Sequence, residues 1–271
     1  MKSKALAFIG GGNMAGAIIG GLLKSGRAPG SILVVDPGDA QRAKLQAEFG
    51  VRSLAAADAA LTEAATVVWA VKPQFFQAAA APCAAFVGQA LQLSVMAGIR
   101  SEAIAHATGA ARVVRSMPNT PALIGQGIAG LFARDAVTAA DRAEVEAVLA
   151  PTGRTLWVDR EADLDAVTAL SGSGPAYVFY FVEAMMQAAR EMGLSEAQGK
   201  QLALATFAGA TALAQASDEA PAVLRERVTS KGGTTHAALT ALDARGVKAA
   251  FVQAMHAAQR RARELGDEFG R

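Results

Sequence analysis

The stretch Ala5-Leu6-Ala7-Phe8-Ile9-Gly10-Gly11-Gly12-Asn13-Met14-Ala15 decides how this 271-residue chain is read. Ala5 to Ile9 reads as a strand, and the glycine run follows it at once. Gly10 permits a tight turn. Gly12 lets the backbone approach a pyrophosphate, where a side chain would block it. Ala15 takes the place of the third glycine in the dinucleotide fingerprint, where helix and strand pack closely. A helix from about Asn13 then points its unpaired N–H groups at the phosphates. A glycine triplet alone is also compatible with a purely structural turn, and the strand-turn-helix setting is what favours a dinucleotide.

Working outward, β-rich runs recur at Ile32 to Val35, Val67 to Val71, Leu91 to Met96, Val113 to Met117 and Thr155 to Val158. Helical stretches separate most of them: Met14 to Ser25, Ala40 to Phe49, Phe75 to Phe86, Glu102 to Ala107 and Ala139 to Leu149. This alternation predicts an α/β fold, a Rossmann-type doubly wound parallel sheet with helices on both faces. The unbroken apolar run Val67-Val68-Trp69-Ala70-Val71 fits a strand buried on both sides. After Arg160 the strand-like runs stop. Leu164 to Gly193, Ser195 to Ala216, Pro221 to Val228, Thr234 to Leu242 and Val247 to Phe269 read as helices. Gly174-Pro175 sits where a helix can restart. The expected division is therefore residues 1–160, a dinucleotide-binding domain, and residues 161–271, an all-helical domain.

Composition narrows the function classes. Hydrophobic residues make up 52% and charged residues 18%, so a sizeable core is expected rather than disorder. A net charge of +2, evenly spread, gives no argument for a nucleic-acid or membrane partner. The chain has one cysteine, Cys83, so it forms no internal disulfide, which suits a reducing cytoplasm. His106, His236 and His256 show no metal-ligand spacing, and no metal is expected. Met1-Lys2-Ser3-Lys4 before an apolar run imitates a signal peptide, but the glycines and Asn13 interrupt the run. Ser171 to Pro175 and Glu183 likewise argue against a membrane span over Val167 to Ala189. The charged tail Arg260 to Arg271 reads as a solvated helix end, and a cytoplasmic location is expected.

Further candidates fall at strand ends, on the sheet edge where open α/β folds bind ligands. Asp36 stands where an acidic residue bonds the adenine-ribose hydroxyls and repels a 2′-phosphate. It is equally read as the cap of a turn before Pro37-Gly38, and Arg42 is placed to pair with such a phosphate instead. NAD and NADP both stay open. Ala70-Val71-Lys72-Pro73 and Val95-Met96-Ala97 end two buried strands, with Lys72 readable as an ordinary surface lysine. Asn119, in Met117-Pro118-Asn119-Thr120-Pro121, reads either as a nicotinamide-side contact or as part of a plain turn.

Thr229-Ser230-Lys231-Gly232-Gly233-Thr234-Thr235 sets hydroxyls and glycines just ahead of a helix. A helix amino terminus with exposed backbone suits a carboxylate; the same residues also read as an elaborate helix cap. Ser230 and Thr234 are placed to donate to an anion, and Thr235 to a second polar atom. Here the sequence resembles the pyrroline-5-carboxylate reductases. The likeness runs from Val223-Leu224 through Val228-Thr229-Ser230, Gly232-Gly233, Thr235 and Ala238-Leu239 to Asp243. It also covers Phe8 to Ala15, Ala70 to Pro73, Asn119 to Pro121 and Leu170 to Tyr177. Lys231 stands where proline is commonest in that family. Asp36 stands where members carry a small or phosphate-accepting residue.

The resemblance implies hydride transfer from NADPH or NADH to the imine carbon of 1-pyrroline-5-carboxylate, giving L-proline. By it, Ser230, Gly233, Thr234 and Thr235 hold the substrate carboxylate, and Gly232 is a further substrate-binding residue. The catalytic residue is Thr235, its hydroxyl near the ring nitrogen, and Glu161 lies near the substrate. The family's cofactor contacts fall on Ile9, Gly10, Gly11, Gly12, Asn13, Met14, Asp36, Ala70 to Pro73, Val95, Met96 and Ala97, and Asn119 joins them as a cofactor candidate on the reading above. The helical half is a dimerisation domain and the protein a homo-oligomer. A β-hydroxyacid dehydrogenase shares the two-domain plan but needs a lysine that Tyr177 to Gly193 lacks. A non-catalytic NAD(P) sensor makes no use of Thr229 to Thr235. A P-loop enzyme needs a Lys-Ser or Lys-Thr that the glycine run lacks.

Overall fold

The computed structural model describes residues 5–269. Met1 to Lys4, and the last two residues of the charged tail, lie outside them. Eight strands form one sheet: β1 (Ala5–Ile9), β2 (Ile32–Val35), β3 (Arg52–Leu54), β4 (Ala64–Trp69), β5 (Leu91–Ser94), β6 (Val113–Met117), β7 (Gly127–Ala133) and β8 (Gly153–Trp157). Their order is β3-β2-β1-β4-β5-β6-β7-β8, and every neighbouring pair is parallel except β6 with β7. The chain leaves β1 on one side through β2 and β3, then returns to β4 on the other. That reversal is the switch point at which doubly wound sheets open a crevice at the strands' carboxyl ends.

Period-two alternation sorts the strand residues between two cores. Leu6 and Phe8 of β1 and Val68 of β4 join one, with Ile18 and Ile19 of helix α1 (Asn13–Lys24). Ala7, Ile9, Val67 and Trp69 join the other, with Phe76 and Ile104. A sheet covered on both faces explains why Val67 to Trp69 is apolar without interruption. The buried Trp69 indole N–H is satisfied by the Gln92 amide oxygen at 2.8 Å, and the Gln92 amide nitrogen donates to the Val87 and Ala90 carbonyls.

All six expected strands are present, and two more join them. β3 is a three-residue edge strand, too short for a periodicity to appear. β7, Gly-Ile-Ala-Gly-Leu-Phe-Ala, has the composition of a loop. Its glycines are demanded by contact: a Cβ on Gly130 would lie 2.7 Å from the Val167 side chain, and one on Gly127 would lie 2.8 Å from the Thr152 carbonyl oxygen. β7 also makes the sheet mixed rather than purely parallel.

Two helical stretches are broken, one that was read as continuous and one at the restart expected at Gly174-Pro175. Between Phe75 and Phe86 lie α3 (Phe76–Ala80) and α4 (Ala84–Val87), parted at Pro82, which cannot donate into a helix interior. Between Leu164 and Gly193 lie α7 (Asp163–Val167), a π turn at Thr168–Gly172, and α8 (Gly174–Glu191) with Pro175 in its first turn. The remaining sheet-unit helices are α2 (Asp39–Phe49), α5 (Ser101–Thr108) and α6 (Ala139–Leu149).

The chain forms two compact units, residues 1–174 with 258–271, and residues 175–257. The first extends past Arg160 because Val167 packs on Gly130 of β7. It also takes in the end of helix α12 (Val247–Phe269), where the Leu265 carbonyl oxygen meets Gly98. The second unit contains the rest of α8, α9 (Glu196–Gln215), α10 (Pro221–Arg227), α11 (Thr234–Ala244) and the start of α12. Within it, Tyr177 and Phe181 pack on Phe251 with ring centroids 5.8 and 5.6 Å away, and Gly199 admits the Ala189 methyl. Phe179 at 58%, Tyr180 at 69% and Leu213 at 61% exposure stay outside this small core. Among the described residues, no helix is long and apolar enough to cross a membrane.

Candidate active site

β1 delivers the chain to Gly10 at φ +93°, where a Cβ would lie 2.8 Å from the Ala70 carbonyl oxygen. Only glycine lets the ends of β1 and β4 come this close. Gly11 is held on both sides: its N–H donates to Asp36 Oδ2 at 2.8 Å, and its carbonyl accepts from Gln41 Nε2 at 2.5 Å. Gly12 differs from both. It has an ordinary backbone, φ −67° and ψ −169°, and an added Cβ would meet no protein atom within 4 Å. No side chain caps α1, and its first turn holds no acidic residue. The protein therefore leaves open the space in front of a helix amino terminus, with donors and the positive end of the dipole facing it. That arrangement fits the pyrophosphate of a dinucleotide.

The other cofactor candidates lie where the strands end. Ala70 and Val71 follow β4 and are half-buried, and Lys72 is exposed ahead of a 3-10 turn that starts at Pro73. Val95 and Ala97 follow β5 and are half-buried. Ile9 and Met96 point into the core at 2% and 3% exposure, so they reach the edge through backbone alone. Asn13 and Met14 open α1. Asp36 follows β2, and its other oxygen accepts from the Gly38 N–H at 2.9 Å. Asn119 is bonded at both ends, from its amide nitrogen to the Ser171 carbonyl at 3.2 Å and from the Ile128 N–H to its oxygen at 3.0 Å. It ties the loop after β6 to β7 and to the π turn.

In the second unit, Ser230 to Gly233 form a turn closed by Gly233 N–H to the Ser230 carbonyl at 3.0 Å. Gly232 has φ +75°, which favours glycine. A Cβ on Gly233 would lie 2.6 Å from Ser230 Oγ. Gly233 is the cap residue of α11, with no side-chain cap and no acid in the first turn. Thr229 and Thr240 send their hydroxyls back to the Arg225 and His236 carbonyls. Among the described residues, Ser230, Thr234 and Thr235 make no such bond, and Ser230 and Thr234 are exposed.

Glu161 belongs to a different cluster in the first unit. It accepts from the Ser101 N–H at 2.6 Å, the Ser101 hydroxyl at 2.6 Å and Arg115 at 2.8 Å. It thereby caps α5 from a distance. Burial pushes its carboxyl up, but the Ser101 donors and the Arg115 charge outweigh this and the net shift is downward. Burial lowers the Arg115 guanidinium, against the pull of Glu161. Arg100 continues the cluster to Asp165 at 3.9 Å and Asp267 of α12 at 3.4 Å. Sequence reasoning missed Ser101, Arg115 and Gln41. Arg115 had a signal, a charge inside an otherwise strand-like run; Ser101 and Gln41 had none, because their partners are distant in sequence.

Two family models match the chain. One, described as pyrroline-5-carboxylate reductase dimerisation, covers residues 161–265, and one, described as NADP oxidoreductase coenzyme F420-dependent, covers residues 5–98. The chain is 43% identical to a pyrroline-5-carboxylate reductase of Pseudomonas aeruginosa over the full length of both. A solved pyrroline-5-carboxylate reductase from Coxiella burnetii superposes with a TM-score of 0.91 at 34% identity, over 98% of this chain and 99% of that one. A Plasmodium falciparum pyrroline carboxylate reductase with NADP bound gives 0.87 at 25% identity, over 98% and 99%. A glycine loop shaped for a dinucleotide, an uncapped helix start behind Ser230 to Gly233, and likeness along the whole length agree: the chain belongs to the pyrroline-5-carboxylate reductase family.

Proposed function

We propose that this chain reduces 1-pyrroline-5-carboxylate to L-proline, using NADPH or NADH. The single observation that carries the reading, within the family, is the uncapped amino terminus of α11 behind the Ser230 to Gly233 turn. The turn and the α11 amides form a seat for a carboxylate. Ser230, Gly232, Gly233 and Thr234 hold that carboxylate in this reading, and the half-buried Thr235 directs its hydroxyl to the ring nitrogen. Lys231 is exposed within the turn and adds positive charge.

When bound, the nicotinamide cofactor supplies the hydride. Gly10, Gly11, Gly12 and the first amides of α1 would hold its pyrophosphate, and Ala70 to Pro73 and Val95 to Ala97 would line its remainder. An iminium carbon is already electrophilic, so the protein's part is orientation and electrostatics rather than general-base chemistry. The bonds of Asn119 and Glu161 support positioning roles for both: Asn119 fixes the loop after β6, and Glu161 fixes the start of α5.

The second unit leaves Val178, Phe179, Tyr180, Leu202 and Leu213 exposed, which supports a homo-oligomer assembled through these helices. Light scattering at micromolar concentration should give at least a dimer, and a monomer would refute that assembly. The activity is tested by oxidation of NADH and NADPH with the imine, beside a 3-oxo acid control. Turnover on the imine alone is expected. Turnover on the 3-oxo acid alone would overturn the assignment.

A further inference from the structure

We infer that the adenine-ribose end of this cofactor site selects NADH over NADPH, through the Asp36 carboxylate and the pairing of Arg42. The inference rests on the NAD(P)H reading above for the location of the site. Asp36 follows β2 at the carboxyl edge of the sheet, next to the strand that carries the glycine loop. Its two oxygens accept from the Gly11 and Gly38 amides, one on each side, at 2.8 and 2.9 Å. The carboxylate is therefore held in place before any nucleotide arrives, and it is tied to the loop that would receive the pyrophosphate. A carboxylate at this point accepts hydrogen bonds from ribose hydroxyls and repels a 2′-phosphate.

An arginine nearby is the usual means of accepting that phosphate. Arg42 is the first cation after Asp36 in the sequence. Its guanidinium is already committed, to the Asp36 backbone carbonyl at 2.7 Å and to the Asp39 carboxylate. The Gly38 N–H is spent on Asp36 as well, and Asp39 puts an acid in the first turn of α2. The turn thus presents two carboxylates and one paired arginine, so it carries net negative charge where NADPH would bring two more. This differs from the Plasmodium falciparum structure, which has NADP bound, and from the family model described as NADP oxidoreductase.

The test is direct binding, separate from turnover. Dissociation constants for NADH and NADPH are measured on the purified chain by fluorescence titration. Competition by 2′,5′-ADP and by ADP is measured alongside. NADH is expected to bind about ten- to hundred-fold tighter, the worth of a hydrogen bond to a charged group, and ADP to compete better than 2′,5′-ADP. Asp36→Ser should narrow the ratio by about tenfold. Asp36→Ser with Asp39→Asn, which releases Arg42, should move it further toward NADPH. Equal or tighter binding of NADPH by the unaltered chain overturns the inference, whatever the variants do. Because Asp36→Ser also loses two amide bonds, the unaltered chain and its ADP pair carry the decision if that variant misfolds. NADH preference without turnover of the imine would leave the selection standing and remove the reductase reading. Turnover with NADPH preferred would do the reverse.

Discussion

Gly12→Ala separates ligand binding from folding. The backbone at Gly12 is one that alanine adopts readily, and the added methyl would meet no protein atom within 4 Å. Alanine is a poorer cap than glycine by something under ~1 kcal/mol. It also restricts the unfolded chain, worth about 0.4–1 kcal/mol in the opposite sense. The two nearly cancel, so the melting temperature should move by no more than about 2 °C. The methyl does occupy the space through which a pyrophosphate would reach the α1 amides. Losing one charge-assisted hydrogen bond there costs about 1.5–3 kcal/mol, which is roughly ten- to hundred-fold in affinity. Gly10→Ala is the contrast. It forces alanine to φ +93° with its Cβ 2.8 Å from the Ala70 carbonyl oxygen. Left-handed backbone costs about 1–2 kcal/mol and overpacking about 1–3 more, so this variant should lose roughly 2–5 kcal/mol of stability. Thermal melts and NADH titration of both variants are the assay. If Gly12→Ala binds NADH as tightly as the unaltered chain, no pyrophosphate approaches that position and the argument from empty space fails.

Thr235→Ala should lower kcat/KM for the imine by about five- to tenfold, the worth of one hydroxyl hydrogen bond, without abolishing turnover. Complete loss in a variant that still folds and binds NADH would give Thr235 a larger role. Glu161→Ala leaves Arg115 without its partner, so it should cost about 2–4 kcal/mol in urea melts, a figure reduced for the half-buried carboxylate, with KM for the imine unchanged. A raised KM at unchanged stability would instead place Glu161 against the substrate. The folded-state pKa of Glu161 lies below its unfolded value, as does that of Asp141, where burial is outweighed by Thr138 and Arg112. Both therefore contribute stability that is full above about pH 4.3 and is lost as pH falls through the folded values. Asp165 is raised by burial and acts in the opposite sense: its destabilisation is relieved as pH falls from its raised folded value to about 3.9, so urea midpoints should hold level before the first two groups bring them down. The Cys83 thiol is buried and pushed up to about 11, so iodoacetamide at pH 8 should label it only after unfolding, which mass spectrometry reads directly.

The fold was legible wherever burial imposed a period. β1 and β2 fall on the expected residues because a strand covered on both faces is apolar throughout, and β6 does so as well although Arg115 and Ser116 interrupt its apolar run. β7 was not legible, because its glycines answer to Val167 and Thr152, which are remote in sequence. The break at Pro82 was legible in principle, since a proline cannot continue a helix, but the alanines around it masked the signal. At the site, a motif with a local geometric reason was readable in sequence: the Gly10 turn needs positive φ, and the α11 start needs Gly232 and Gly233 ahead of it. What sequence could not give was which polar ends the protein itself uses. Asp36, Asn119 and Glu161 each carry a chemistry-bearing side chain at a plausible place, and each is bonded within the protein.

Those internal bonds have a consequence for the reaction. Hydride transfer to an electrophilic imine asks little of acid or base and much of position, and correct placement can be worth about 7–11 kcal/mol of barrier. A loop that reorganises on binding spends part of that term. Asp36 and Gln41 hold Gly11 from both sides, so the glycine loop needs no ligand to take its shape. Glu161 holds the start of α5, and Arg100, one residue earlier, bonds Asp267 near the end of α12. Gly98, two residues before Arg100, has φ +76° and lies against the Leu265 carbonyl. The segment Val95 to Ala97 is thus fixed at its far end by residues distant in sequence. Side chains that look idle for catalysis are, on this reasoning, where its rate is set. Weakening them should lower affinity for cofactor and turnover together, whereas Thr235→Ala, if the proposed contact with the substrate is its only one, should leave cofactor affinity untouched.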